Sequence, residues 1–174
     1  GKGGAAYVMQ HSFGFDLPKA MQPEFGHIVQ VETDRVGKEL PAQRIFDLFK
    51  EEYIDATKPY ELVRHAFAET VDEEGKSHVV FSGTMRHKET VFNVSGEGNG
   101  PIDASINAIR TIIKDKITLQ EFLIQAMTKG SNDLGRVHMQ LVYGKVSVHG
   151  FAINSDITLA AVEAYIDGVN KALA

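Results

Sequence analysis

The sequence predicts an α+β fold, in which a helical subdomain precedes two pseudo-symmetric βββα units. Three observations predict it. Apolar residues recur at helical spacing up to about residue 55. From residue 60 a strict alternation of apolar and polar residues takes over. A glycine-started junction between strand and helix then occurs twice, as Gly96-Glu97-Gly98-Asn99-Gly100-Pro101 and as Gly150-Phe151-Ala152-Ile153-Asn154-Ser155-Asp156. Runs of strands closed by a helix favour antiparallel sheets, each with a helix on one face. Each unit is too small to bury a good core alone, so the two are expected to pair and leave a pocket at their seam. The organisation expected is a helical subdomain over 1–55 and a second domain over 56–174, built from repeats 60–115 and 118–174.

The elements follow in order. A short helix is expected from Ala5 to Gln10, stopping near Gly14. Met21, Phe25, Ile28 and Val29 mark a second helix, and Ile45, Leu48, Phe49 and Tyr53 a third, with Gly37 in the turn between them. Pro18 and Pro41 stand where a first helical turn tolerates proline. In the first strand the alternation places Val63, His65 and Phe67 on one face and Leu62, Arg64, Ala66 and Ala68 on the other. Asp72-Glu73-Glu74-Gly75 reads as a turn. Val79, Phe81, Gly83 and Met85 form the apolar face of the second strand, and Val91 to Val94 the third. A helix follows with Ile102, Ile106, Ile109 and Ile113 on one stripe. The second unit repeats this: a strand from Leu119 to Met127, a turn at Gly130-Ser131-Asn132-Asp133, a strand with Val137, Met139, Leu141 and Tyr143, a turn at Gly144-Lys145, a strand from Val146 to Phe151, and a helix with Ile157, Ala161, Ala164, Tyr165, Val169 and Ala172 on one face.

Composition excludes several classes. Among 174 residues, 18 basic and 23 acidic side chains give a net charge of −5, the wrong sign for a nucleic-acid surface. The longest apolar runs are far short of a membrane span. The absence of cysteine removes disulfide and thiolate chemistry and fits a reducing, cytoplasmic setting. The chain begins at Gly1 without methionine and no signal peptide is visible, as expected of a piece cut from a longer protein. The seven histidines are scattered, with no closely spaced pair of metal-ligand type, so no metal site is expected.

The first junction is the one with chemical content. Gly100 at the helix start has no side chain to satisfy the first free N–H groups, and Pro101 fits the first turn. Those donors and the helix dipole suit a carboxylate or phosphate. In the second copy Asn154 or Ser155 can cap the helix and Asp156 adds negative charge, so the first helix is the better anion acceptor. A tight turn without a ligand accounts for the same glycines. Asp103 in the first turn suits either a ligand ammonium or its own helix dipole. Neither a Walker loop nor a dinucleotide fingerprint is present. Spacing alone stops at a small-molecule or subunit-interaction module.

The segments Gly1-Lys2-Gly3-Gly4-Ala5-Ala6-Tyr7, Leu17-Pro18, Gln22-Pro23-Glu24-Phe25 and Thr33-Asp34 resemble the linker subdomain of 2-isopropylmalate synthases. Gly96 to Ala104 resembles that family's regulatory-domain signature, and Asp156, Ala160, Ala164, Tyr165 and Asn170 its closing helix. The resemblance spans essentially the whole chain and is closest to the longer, type 2 form. It implies a parent acyltransferase that condenses acetyl-CoA with 2-oxoisovalerate in leucine biosynthesis. It implies too that the parent's catalytic (β/α)₈ barrel, with its divalent metal and His-x-His motif, lies outside this sequence. The chain is then the linker and the leucine-sensing, dimerising domain, with no catalytic residue, metal ligand or cofactor of its own. Its expected partners are leucine, a second copy and the parent's barrel.

Carried over by position, Asn99, Gly100, Pro101, Ile102 and Asp103 fall on the family's leucine-binding turn, and Leu119, Phe122 and Ala126 on the strand lining its apolar pocket. Backbone N–H groups from Gly100 to Ile102 would hold the carboxylate, and Asp103 or Asp133 the ammonium. Ile102, Leu119 and Ala126 would enclose the isobutyl group. Tyr7 matches a linker tyrosine that lies near the barrel in the family. Two alternatives stand beside this: the isoleucine-responsive domain of citramalate synthase, and a purely structural dimerisation module. Leucine and isoleucine differ only in shape, worth about 1–3 kcal/mol in such a pocket.

Overall fold

The structure, a computed structural model, describes residues 2–54, 58–126 and 135–174. Three helices come first: α1 (Lys2–Phe13), α2 (Gln22–Val36) and α3 (Ala42–Tyr53), with one 3₁₀ turn over Lys19–Met21. Helix α1 is longer than its apolar spacing predicts and ends at Gly14, which takes φ +65°. Gly37 ends α2 at φ +81° and returns its N–H to Thr33 at 2.8 Å, a left-handed exit that favours glycine. Residues 55 and 56, where the subdomain boundary is expected, lie outside the described residues, as does the turn Gly130–Asp133.

Two units follow in the same order. Strands β1 (Tyr60–Val71), β2 (Ser77–His87) and β3 (Thr90–Gly98) form one antiparallel sheet, and helix α4 (Pro101–Arg110) follows it. Strands β4 (Ile117–Ala126), β5 (Gly135–Tyr143) and β6 (Val146–Asn154) form the second, followed by α5 (Ile157–Leu173). The predicted α+β class holds. Two boundaries move: β3 continues through Gly98 and β6 through Asn154, so the junctions shrink to Asn99-Gly100 and Ser155-Asp156.

The alternation expected for β1 is corrected by a bulge. Leu62 pairs with Met85 and Arg64 with Thr84, which leaves Val63 as the extra residue. Leu62 therefore shares the inner face with His65 and Phe67, while Val63 is 43% exposed. The second unit has the same device at the same place. Leu119 pairs with Leu141 and Glu121 with Gln140, and Gln120 is the extra residue.

Helix α4 packs on β2 and β3, α5 packs on β5 and β6, and the helices touch each other. Helix α5 also reaches β1, where the Asn170 side chain accepts from the Tyr60 N–H and donates to its carbonyl, each at 2.9 Å. Buried residues of both units share one core, from Val79, Phe81 and Met85 to Met139, Leu141 and Tyr165. A second core lies in the helical subdomain, around Met9, Phe15, Phe25, Phe49 and Tyr53. Phe151 of β6 belongs to this second core, its ring centroid 5.1 Å from Phe49 and 5.5 Å from Phe15. The helical subdomain thus sits on the outer face of the second sheet. The outer face of the first sheet carries Arg64, Ser82, Thr84, Asn93 and Ser95 around a hollow of about 470 Å³.

Candidate functional site

The glycines of the two junctions serve close packing inside the chain. A Cβ on Gly96 would lie 2.3 Å from the Ala108 nitrogen and 2.7 Å from the Ala104 carbonyl oxygen, both on α4. A Cβ on Gly150 would lie 2.0 Å from the Ala164 oxygen and 2.7 Å from the Gly168 nitrogen, both on α5. Each helix crosses its sheet at a strand glycine, which is the physical content of the repeat. Gly98 is likewise closed by Asp103 and Ala104. None of Gly96, Gly98 and Gly100 has positive φ. The backbone freedom expected of them is not what the fold uses.

Gly100 differs from its neighbours. It caps α4 in extended backbone (φ −152°, ψ 173°) and no atom lies within 4 Å of where its Cβ would be. No side chain caps α4. Pro101 occupies the first turn and has no N–H, so the tip offers the N–H groups of Ile102 and Asp103, which have no helical acceptor. Asp103 turns back on its own chain, its carboxylate accepting from the Asn99 N–H at 3.2 Å. That contact favours the dipole-stabilising role over an ammonium partner. Asn107 ties the same tip to β3, donating to the Glu97 carbonyl at 2.7 Å. At the second helix the cap is Asp156 itself, which accepts from the Leu159 N–H at 3.1 Å, and Asn154 accepts from the Asp156 N–H at 2.9 Å. The expected capping by Asn154 or Ser155 is corrected accordingly. Helix α5 presents a carboxylate at its start where α4 presents bare N–H groups.

The β4 residues lie elsewhere. The Arg110 Nη2, at the last residue of α4, donates to the Ile117 carbonyl, at the first residue of β4, at 3.4 Å. Strand β4 therefore begins at the end of α4 away from Gly100, a helix length of about 15 Å. Within one chain the structure brings Asn99, Gly100, Pro101, Ile102 and Asp103 together, and it sets Leu119 apart from them. Leu119 packs against the shared core. Phe122 and Ile124 pair with Met139 and Val137 and share their face, yet they are 36% and 42% exposed. Ala126 ends β4 opposite Gly135; its side chain, the Lys2 side chain and Asp133 lie outside the described residues. Tyr7 is exposed on α1, its ring stacked on His11 with centroids 5.2 Å apart.

The family model described as LeuA allosteric (dimerisation) domain matches residues 39–173. The chain belongs to this family. The matched span opens at Glu39, so the LeuA domain takes in α3 with both βββα units. Similarity to complete proteins extends further. A 2-isopropylmalate synthase of Pseudomonas entomophila (strain L48) is 34% identical over 174 residues, which is 99% of this chain and 30% of that protein. Those of Rhizobium johnstonii and Brucella suis biovar 1 are 33% and 30% identical, each covering at least 99% of this chain and 31% of their own length. The chain spans about 30% of the length of these relatives. The resemblance read from the sequence is thereby borne out along both the helical subdomain and the LeuA domain.

One arrangement escaped the sequence. His138 and His149 meet between β5 and β6, the Nε2 of His138 being 2.9 Å from the Nδ1 of His149. Beside them Arg136 is 3% exposed, with its guanidinium 4.1 Å from the centroid of Phe15. Among the described residues no group of three or more His, Cys, Asp or Glu side chains is placed to hold a metal. Among the described residues no helix is long and apolar enough to cross a membrane.

Proposed function

We propose that this chain is the linker and regulatory region of a 2-isopropylmalate synthase, and that it binds leucine as a feedback effector. The observation that carries the reading is the similarity to such synthases over 99% of the chain, with a LeuA domain as its principal part. The parent reaction, acetyl-CoA with 2-oxoisovalerate, belongs to a barrel outside this sequence. The chain alone is expected to catalyse no acyl transfer.

The geometry supports an amino-acid carboxylate at the α4 tip. The tip is uncapped, begins with a residue that leaves open space and offers first-turn N–H groups. The apolar half of the site is β4, with Leu119 and Phe122. Strand β4 starts at the far end of α4 from the tip, and the exposed Phe122 and Ile124 on this edge strand suit burial against a second copy. A homodimer that joins one chain's α4 tip to its partner's β4 completes the site. Regulation is then a coupling free energy between this site and the barrel.

Gly100→Asp tests the placement. The substitution meets no steric obstacle and supplies the missing helix cap, so the melting temperature should hold or rise. Leucine binding by calorimetry should be lost through repulsion of its carboxylate. Unchanged affinity refutes the site, and a preference for isoleucine in competition reassigns the effector.

A further inference from the structure

The contact between the helical subdomain and the second sheet contains a pair of rings that resist taking a proton in place. His138 is 2% exposed, and its Nδ1 is buried with no hydrogen-bond partner among the described residues. Its Nε2 meets the Nδ1 of His149. Were His149 the donor, His138 would carry its own proton on the partnerless Nδ1. The satisfied tautomer therefore has the His138 Nε2–H donating to the His149 Nδ1, with a bare lone pair on the His138 Nδ1. Adding a proton to His138 then places a buried N–H where no acceptor stands. Adding one to His149 must place it on Nδ1, where it faces the His138 N–H and breaks the bond. Each ring is therefore harder to charge while the seam is closed.

The surroundings reinforce this. Arg136, two residues from His138 on the same strand face, is buried, and its Nη1 also has no partner among the described residues. Lys171 of α5 donates to the His149 carbonyl at 2.7 Å and lies over the Tyr53 ring at 4.7 Å. These two cations oppose a third positive charge. On the other side stand Glu24 of α2 and Glu121 of β4, whose charges favour a protonated His149. Asp167 is committed to Lys171 at 3.0 Å and to the Phe151 N–H at 2.9 Å. Asp16 faces Arg136, and the Tyr53 hydroxyl is bound to Glu24 at 2.6 Å. Burial, joined by the positive neighbours, lowers His138 to about 4 and moves His149 in the same direction.

We propose that the His138–His149 pair is a proton-sensitive latch that holds the helical subdomain against the second sheet and releases it on acidification. The helical side of the seam is Phe15, Phe49 and Tyr53, and the sheet side is Arg136, His138, His149 and Phe151, so opening it withdraws Phe151 from the helical core and leaves the shared core of the two βββα units intact. The inference is independent of the effector reading.

The chain has no cysteine, so Lys50→Cys on α3 and Lys145→Cys at the β5–β6 turn give two clean spin-label positions. Distances measured on the 174-residue chain at about pH 7.5 should form a single short population. At about pH 5 a longer population should grow reversibly, the His138 shift alone moving the ratio roughly 30-fold. His138→Phe should remove the His138 share of that response and so sharply reduce it. Identical distributions at both pH values, or a full response in His138→Phe, overturn the latch. If that variant does not fold, imidazole NMR on the unaltered chain decides: His138 should titrate well below the ordinary range and in step with the distance change. Titration of both rings at ordinary values, or separation of labels placed within the two sheets in the same step, refutes the proposal.

Discussion

A Cβ decides more at Gly96 than any functional group does. The α4 backbone crosses β3 so closely that any side chain at Gly96 meets the Ala108 nitrogen and the Ala104 carbonyl. Gly96→Val should cost about 3 kcal/mol or prevent folding, measured by urea denaturation. Gly100, four residues on, should accept substitution with little loss because nothing surrounds its missing Cβ. The sequence presents these glycines as one motif, but their requirements differ: backbone clearance at Gly96 and an open helix tip at Gly100. Glu32 is a second residue whose role rests on its partners, Arg35 one turn along α2 and Arg44 on α3. Arg35 and Arg44 hold its carboxyl at about 2 in place of 4.5, and Arg44 bonds it at 2.6 Å across α2 and α3. A depressed carboxyl contributes its stability above pH 4.5 and loses it as pH falls towards 2. Glu32→Gln should flatten that acid limb, read as urea midpoints between pH 5 and 2.

At the scale of elements, the paired bulges at Val63 and Gln120 show that the two units share geometry as well as order. Each slips the start of an edge strand by one residue, which turns Leu62 and Leu119 inward. Alternation could not reveal this, because a bulge breaks the period of two without changing composition. The units diverge in their helices: α4 has 10 residues and α5 has 17. The longer helix reaches across to β1, while β4 keeps Phe122 and Ile124 exposed at a sheet edge. An apolar, unpaired edge is a site for association. Phe122→Lys should shift the chain from dimer to monomer in sedimentation velocity, with a small effect on the melting of the monomer. A monomeric wild-type chain at the same concentration contradicts that assignment.

Over the whole molecule, two cores meet through few residues. Phe151 carries the second sheet into the helical subdomain, where it makes tilted and edge-on ring contacts with Phe15 and Phe49, and Phe49 in turn with Phe25 and Tyr53. Phe49→Ala should cost about 4 kcal/mol, and calorimetry should show the helical subdomain melting ahead of the sheets. Phe49 is not a member of the shared core of the two βββα units, so that core's transition should stay near the wild-type temperature. A single cooperative shift of both transitions argues instead for one indivisible domain.

The sequence by itself determined the order of elements, the duplication, the inward faces of β2 and β5, and the uncapped start of α4. All of these are local, set by spacing, glycine and proline. Tertiary structure alone decided the bulge registers, the crossing of each helix over a strand glycine, the start of β4 beside the last residue of α4, and the meeting of His138 with His149. Those depend on which residues face each other across strands and subdomains, and a one-dimensional pattern holds no record of that pairing. The histidines show the reason: they are 11 positions apart, unremarkable in sequence, and become neighbours only because β5 and β6 run antiparallel beneath the helical subdomain.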